Sequence, residues 1–482
     1  MKASWLAAAV LTAVVPASFA AGGFNTDIKS LTKDLKRPVS IKASADLMAK
    51  SDKGAEQKEW TVMVYVDGKN NLEGAGLYNV NQMEMVGSTD KVNIVVELGR
   101  MKGQDGDDTS DGDWTGARRY YITNDFAPAG NSQEEIQNAY NNSMSKINSP
   151  VVEEIPMVDM GDWKHAVDFV KWARKNYPAK KYMLILWDHG SGWFDSQRET
   201  KMPRKVKKTS RMIASDDETK NFIGTKQIPM ILQEAGNVDV LGYDACLMQM
   251  GEVAYEVAPY AKYIVASEEL EPGYGQDYTA FVGALAENPS ASALEASKFW
   301  VKAFGDFYNQ YYSQIKQSAT CSALDTAKLE GFKEKADKLA AAIMATTDMP
   351  ALKTAKNTAL RFGEFGPQDP KRVITTYVDA YDFAKILSES TKDEGVKASA
   401  KEMMDFITGG LVVANVGVGV DEDSSADMTK ARGVSLNLAR VRNDITVDQV
   451  ENRIFGNKYM DMTFASTTQW GPLFDWMMAN VK

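Results

Sequence analysis

Two apolar runs of strand length, each ending in an aspartate followed by a short reactive sequence, constrain this chain most. Tyr182-Met183-Leu184-Ile185-Leu186-Trp187 leads into Asp188-His189-Gly190, and Val238–Tyr243 leads into Asp244-Ala245-Cys246. Continuous apolar runs of this length suit strands covered on both faces, as in a parallel sheet between helices. Further strand candidates are Trp60–Val66, bounded by Asp67-Gly68, then Val92–Leu98, the short Arg119–Ile122, and Tyr263–Ser267. Helical stretches lie between them. One starts at Asn71, and one over 161–176 places apolar residues at 163, 166, 167, 170 and 173 before Pro178 stops it. A third runs from Cys246 to about Val257. Strands alternating with helices predict an α/β sheet covered by helices on both faces.

From about residue 290 the pattern changes to alanine- and lysine-rich helical segments, at 293–312, 327–346, 350–361, 377–391 and 394–407. Two late strand candidates follow, Leu411–Val418 and Val434–Leu438. The N-terminus has the form of a cleaved export signal. Lys2 precedes the uncharged run Trp5–Val15, and Ser18-Phe19-Ala20 fits cleavage after Ala20. That run is too short to span a bilayer, and no other long apolar stretch exists. The expected organisation is a signal peptide over 1–20 and a polar linker or pro-segment over 21–56. A catalytic α/β domain over 57–290 and an α-rich C-terminal region over 291–482, packed on it, complete the chain. An exported protein of this kind acts in the periplasm or the medium.

Composition narrows the chemistry. The chain has 482 residues, 44% hydrophobic and 25% charged, the balance of a globular protein. Its net charge of −10 argues against nucleic acid, which needs clustered Lys and Arg. Two His and two Cys leave little for a metal cluster or a disulfide scaffold, although Cys246 and Cys321 could form one bridge.

In open parallel sheets, reactive groups sit just past the carboxyl ends of the strands. His189 and Cys246 each follow a strand run, so neighbouring strands would bring them to one edge. A thiol nucleophile needs such a base, and a helix start at Cys246 would favour its thiolate. Gly190 lets a backbone N–H approach a carbonyl closely, and the N–H groups of Gly190 and Cys246 are candidate donors to a tetrahedral oxyanion.

The segments Trp60–Glu73, Leu186–Gly192 (LWDHGSG), Gly242–Ala254 (GYDACLMQMGEVA), Ala266–Tyr278 (ASEELEPGYGQDY) and Gly433–Leu438 (GVSLNL) resemble the clostripain family of cysteine peptidases. That family belongs to a caspase-like clan, with legumain, gingipain and the caspases. The resemblance implies a caspase-like three-layer α/β/α sandwich with a mostly parallel sheet, and an α-rich C-terminal region with a few strands. It implies a cysteine endopeptidase with His189 and Cys246 as catalytic residues. Its substrates would be proteins or peptides cleaved after Arg or Lys, with Asp244 as the S1 acid. Glu268, Glu269, Glu271 and Asp277 would add negative potential. The first strand departs from the family pattern, being followed by Asp67-Gly68-Lys69-Asn70-Asn71. Seven basic residues against one acid over 198–211 make a basic stretch between the two catalytic residues, a site for self-processing. The contrasting reading is a catalytically silent binding protein that keeps the fold.

The remaining features read as structural. His165 is a partly covered helix residue, and Cys321 lies in an apolar, strand-like core context. The acidic loop Gly103–Gly116 fits an EF-hand poorly, because position twelve is Arg118 rather than Glu, although a looser Ca²⁺ site is an open expectation. The chemistry itself requires no cofactor. Asp421-Glu422-Asp423 reads as a solvated turn, and Gly273-Tyr274-Gly275 is too short for a nucleotide loop.

Overall fold

A computed structural model describes residues 57–194, 213–363, 377–422, 424–438 and 459–481. The expected signal peptide, the 21–56 linker and the basic stretch 198–211 lie outside the described residues.

The longest buried runs of the sequence become the centre of a nine-stranded sheet. The strands are β1 (Lys58–Gly68), β2 (Val92–Arg100), β3 (Gly116–Tyr121), β4 (Val151–Ile155), β5 (Ala179–Trp187), β6 (Val238–Asp244), β7 (Ala261–Ala266), β8 (Ala319–Asp325) and β11 (Val412–Val418). Their order is β11-β8-β7-β6-β5-β1-β2-β3-β4. The five central strands, β7, β6, β5, β1 and β2, run parallel. Alternate side chains of each strand point to opposite faces. Met63, Tyr65, Leu184 and Leu186 therefore enter one core with helices Trp163–Asn176 and Ile228–Ala235. Val62, Val64, Met183 and Ile185 enter the other with helices Glu73–Glu84, Tyr278–Glu287 and Ala293–Ile315. This is the expected three-layer α/β/α sandwich.

The part expected as a C-terminal region adds to the same sheet, because β8 and β11 pair antiparallel at its edge. It also forms a small sheet, ordered β12-β10-β9, from β9 (Arg361–Phe362), β10 (Tyr377–Asp379) and β12 (Ser435–Asn437). The expected helix over 377–391 therefore starts later. Its first three residues are β10, and the Asp379 carboxylate caps a helix over Ala380–Ser390 by accepting from the Asp382 N–H.

A second boundary moves at the site itself. The helix expected from Cys246 begins at Gly251. Residues between β6 and that helix pair instead with the chain after β7, Leu247 N–H to Glu269 O at 3.1 Å and Gln249 N–H to Ser267 O at 2.9 Å. Long-range backbone pairing outcompetes helical propensity there, so Cys246 does not itself open a helix. β4 escaped the sequence reading because its side chains are mostly exposed and carry no apolar alternation.

Candidate active site

Because β1, β5, β6 and β7 are parallel, their carboxyl ends share one edge. Register places Val66 beside Trp187 and Trp187 beside Asp244. The loops leaving these strands enclose a cleft lined by His189, Cys246, Asp244, Glu271, Leu72 and Gly275 among others. The structure thus brings the sequence-derived candidates together.

Cys246 is half-buried and in no disulfide, as is the buried Cys321. The Glu271 backbone N–H donates to Cys246 Sγ at 3.2 Å, the contact that a sulfur anion takes up well. The turn that presents the sulfur is tight. Leu247, fully buried, has φ +67°, a left-handed conformation costing about 1–3 kcal/mol for such a residue. Gly190 is needed for a reason the sequence did not reveal. A Cβ there would lie 2.2 Å from Cys246 O and 2.9 Å from Cys246 N, so only glycine lets the histidine loop lie against the Cys246 peptide.

His189 Nε2 lies 2.8 Å from Asn71 Oδ1. Asn71 belongs to the loop after β1 that departs from the family pattern. It is the partner sequence reasoning missed, and the signal available was its place at the end of a strand. Beside it, Asn70 Nδ2 donates to Asp188 Oδ1 at 2.8 Å and to Ser215 O at 3.0 Å. Asp188 also accepts the backbone N–H groups of Ser215 and His189. One buried carboxylate therefore ties together three segments around the histidine. Burial, and then the neighbouring Asp67 carboxylate, push Asp188 well above the usual carboxylate range.

Asp244 forms the inner wall of the cleft. Its carboxylate accepts the Tyr278 hydroxyl at 2.8 Å, and further hydrogen bonds from the Gln276 N–H and the Trp187 side chain. Burial raises its pKa. Glu271 hydrogen-bonds to it side chain to side chain, and burial followed by the Asp244 charge pushes Glu271 well above its ordinary value. Gly275, at φ +60°, covers this wall. A Cβ on it would lie 3.1 Å and 3.3 Å from the two Asp244 oxygens and fill the space above them.

The other acids of that segment face elsewhere. Glu268 accepts the Gly433 N–H, Glu269 the Gly363 N–H, and Asp277 caps the Tyr278–Glu287 helix. Only Glu271 of the four joins Asp244. His165 pairs through Nε2 with the buried Glu97, which also binds Arg119 at 2.6 Å, a structural role as expected. Cys321 sits in β8, where burial raises its thiol pKa. In the acidic loop, Asp107 accepts the Gly103 N–H, Asp108 the Ser110 N–H, and Asp111 the Trp114 and Ile147 N–H groups. Donors already engage these oxygens, and among the described residues no group of three or more His, Cys, Asp or Glu is placed to hold a metal.

The sequence pattern of the clostripain family matches residues 64–476. The chain belongs to that family. Clostripain of Hathewaya histolytica is 30% identical over 253 residues, which cover 50% of this chain and 44% of that protein. The match therefore spans less than half of that relative's length. Among solved structures, an inactive zymogen C11 protease from Parabacteroides distasonis superposes with a TM-score of 0.57 at 16% identity, covering 86% of this chain and 98% of that one. A secreted C11 cysteine protease from Bacteroides thetaiotaomicron, in complex with an irreversible peptide inhibitor, superposes at 0.53 with 17% identity, covering 87% and 99%. These likenesses establish the caspase-like fold.

Proposed function

We propose that the chain is a clostripain-type cysteine endopeptidase that cleaves after Arg or Lys through a Cys246–His189 dyad. The observation that carries this reading is one cleft, at the carboxyl edge of the sheet, holding a half-buried thiol, a histidine and an acid wall. Cys246 Sγ attacks the scissile carbonyl as thiolate. The oxyanion that forms is received by the backbone N–H groups of Gly190 and Cys246. With its Nε2–H donated to Asn71 Oδ1, His189 keeps Nδ1 to carry the mobile proton, which it delivers to the leaving amine. Water then hydrolyses the acyl-enzyme. Asp244 receives the P1 cation, since a buried carboxylate is the natural partner of a guanidinium.

Support from relatives is of the same kind. The named relative is a clostripain, and one fold neighbour is a secreted protease bound to a peptide inhibitor. The N-terminal signal pattern supports export, and no described helix is long and apolar enough to cross a membrane. The basic stretch 198–211 is the proposed self-processing site. The chemistry draws on no cofactor.

Fluorogenic peptides with Arg, Lys or Asp at P1, presented to the wild type and to Cys246→Ala, test the proposal. We expect turnover of Arg and Lys peptides that vanishes in the variant. Absence of any Cys246-dependent turnover would sink the protease reading and favour a silent binding protein. Preference for Asp would sink only the P1 assignment. Intact-mass spectra should show a cut within 198–211 in the wild type and a single chain in Cys246→Ala.

A further inference from the structure

Glu271 occupies an unusual position for a half-buried acid. Its backbone N–H donates to Cys246 Sγ at 3.2 Å, and its side chain hydrogen-bonds to Asp244. Two carboxyl groups in hydrogen-bond contact must share a proton, because one of them has to donate. The donor is Glu271, because the Asp244 oxygens already accept from three other groups, which favours the anion there. Asp244 is then the anion, held by Tyr278, Gln276 and Trp187. The second Glu271 oxygen, Oε2, is buried and has no hydrogen-bond partner among the described residues. Both residues line the cleft. The titratable groups facing the pair are Tyr278, Tyr308 of the Ala293–Ile315 helix and Cys321 of β8, with Asp188 and His189 across the cleft. None of these is a lysine or arginine.

We propose that Glu271 is a second specificity residue, and that the Asp244–Glu271 pair exchanges its shared proton for the cation of an Arg or Lys side chain. This rests on the reading of Asp244 as the P1 acid. In the empty cleft, the pair carries one proton and one negative charge. When a guanidinium or ammonium enters, the O–H bond of Glu271 breaks and its proton passes to solvent. The cation then meets two carboxylates, and the orphan Oε2 gains the partner it lacks. A neutral P1 side chain leaves the proton in place. Because the same residue donates its N–H to Cys246 Sγ, filling the pocket also bears on the peptide that holds the nucleophile.

Linkage makes this measurable. While the free pair holds its proton, affinity for an Arg peptide rises with pH by about tenfold per unit, and affinity for a neutral isostere is flat. The test uses full-length Cys246→Ala and two peptides that differ only in Arg or citrulline at P1. Titration calorimetry in buffers of different ionisation enthalpy counts the protons exchanged. We expect about one proton released per Arg peptide and none per citrulline peptide. Adding Glu271→Gln should abolish both the release and the pH slope. The amide still donates to Asp244, so the wall keeps its hydrogen bond and the variant should fold. Arg binding that exceeds citrulline binding, but without proton release or without change in Glu271→Gln, overturns the exchange and leaves Asp244 as the P1 acid. Equal binding of the two peptides overturns both.

Discussion

Two acid-rich regions flank the first helix, and they are built in opposite ways. Against the loop after β2, Glu73 at the start of the Glu73–Glu84 helix is fully buried, yet it receives Arg100 Nε at 2.6 Å, Gln104 Nε2 at 2.7 Å and the Asp108 N–H at 2.8 Å. The Arg100 guanidinium also donates to the carbonyls of Asp108 and Ser110, so one cation organises the loop. At the cleft, Asp244 is buried and Glu271 half-buried, but no cation among the described residues is supplied and each meets the other. The contrast teaches that acidic content alone does not mark a site. A carboxylate whose donors come from its own fold is architecture, whereas one left facing another acid awaits a partner from outside.

The largest effect that would break this contrast is on the architectural side. Glu73→Gln strands Arg100 as a buried, uncompensated charge, and we expect a loss of about 3–5 kcal/mol in urea unfolding. Activity per folded molecule should survive. On the site side, Asp244→Asn should leave the fold intact and lower kcat/KM for Arg substrates roughly 10²–10³-fold, the loss of one buried charge partner. Neutral P1 substrates should change far less, and an equal loss for both would refute the pocket. Asn71→Ala comes next. With the imidazole no longer held, kcat should fall about 10²-fold with little change in KM, and the acid limb of the pH profile should move. An unchanged profile would make Asn71 merely structural.

The smallest effect sharpens the contrast by showing that a raised acid outside the cleft does no chemistry. Glu252 accepts the Asn437 N–H and the Tyr459 hydroxyl on one oxygen, leaves Oε2 without a partner, and is pushed by burial to about 7. The unfolded chain ionises this group near its ordinary 4.5, so between that value and about 7 the folded state binds more protons. Stability therefore falls as pH rises through this window and levels off above it. Glu252→Gln should flatten that slope, read from unfolding midpoints at pH 5 and pH 8, without altering activity at neutral pH.

Much of the molecule could be read from its residues in order. The runs at 182–187 and 238–243 signalled central strands because both faces are covered, which leaves the first without charge and the second with Asp239 alone near its start. His189 and Cys246 stood out because each ends such a run. What escaped reading had no local signature. β4 is exposed, and β9 and β10 are two and three residues long. The turn at Leu247 depends on pairing with Glu269, 22 residues away.

The sequence alone determined the layered architecture and the two candidate reactive side chains, since apolar period and strand-end position are properties of neighbouring residues, and its motifs carried the resemblance to the family. Only the tertiary structure decided partnership. It joined Asn71 to His189, set Gly190 against the Cys246 peptide, and placed Glu271, rather than Glu268, Glu269 or Asp277, beside Asp244. Those pairings follow from β1 lying between β2 and β5, and β6 between β5 and β7, an order set by long-range backbone pairing that no local pattern encodes.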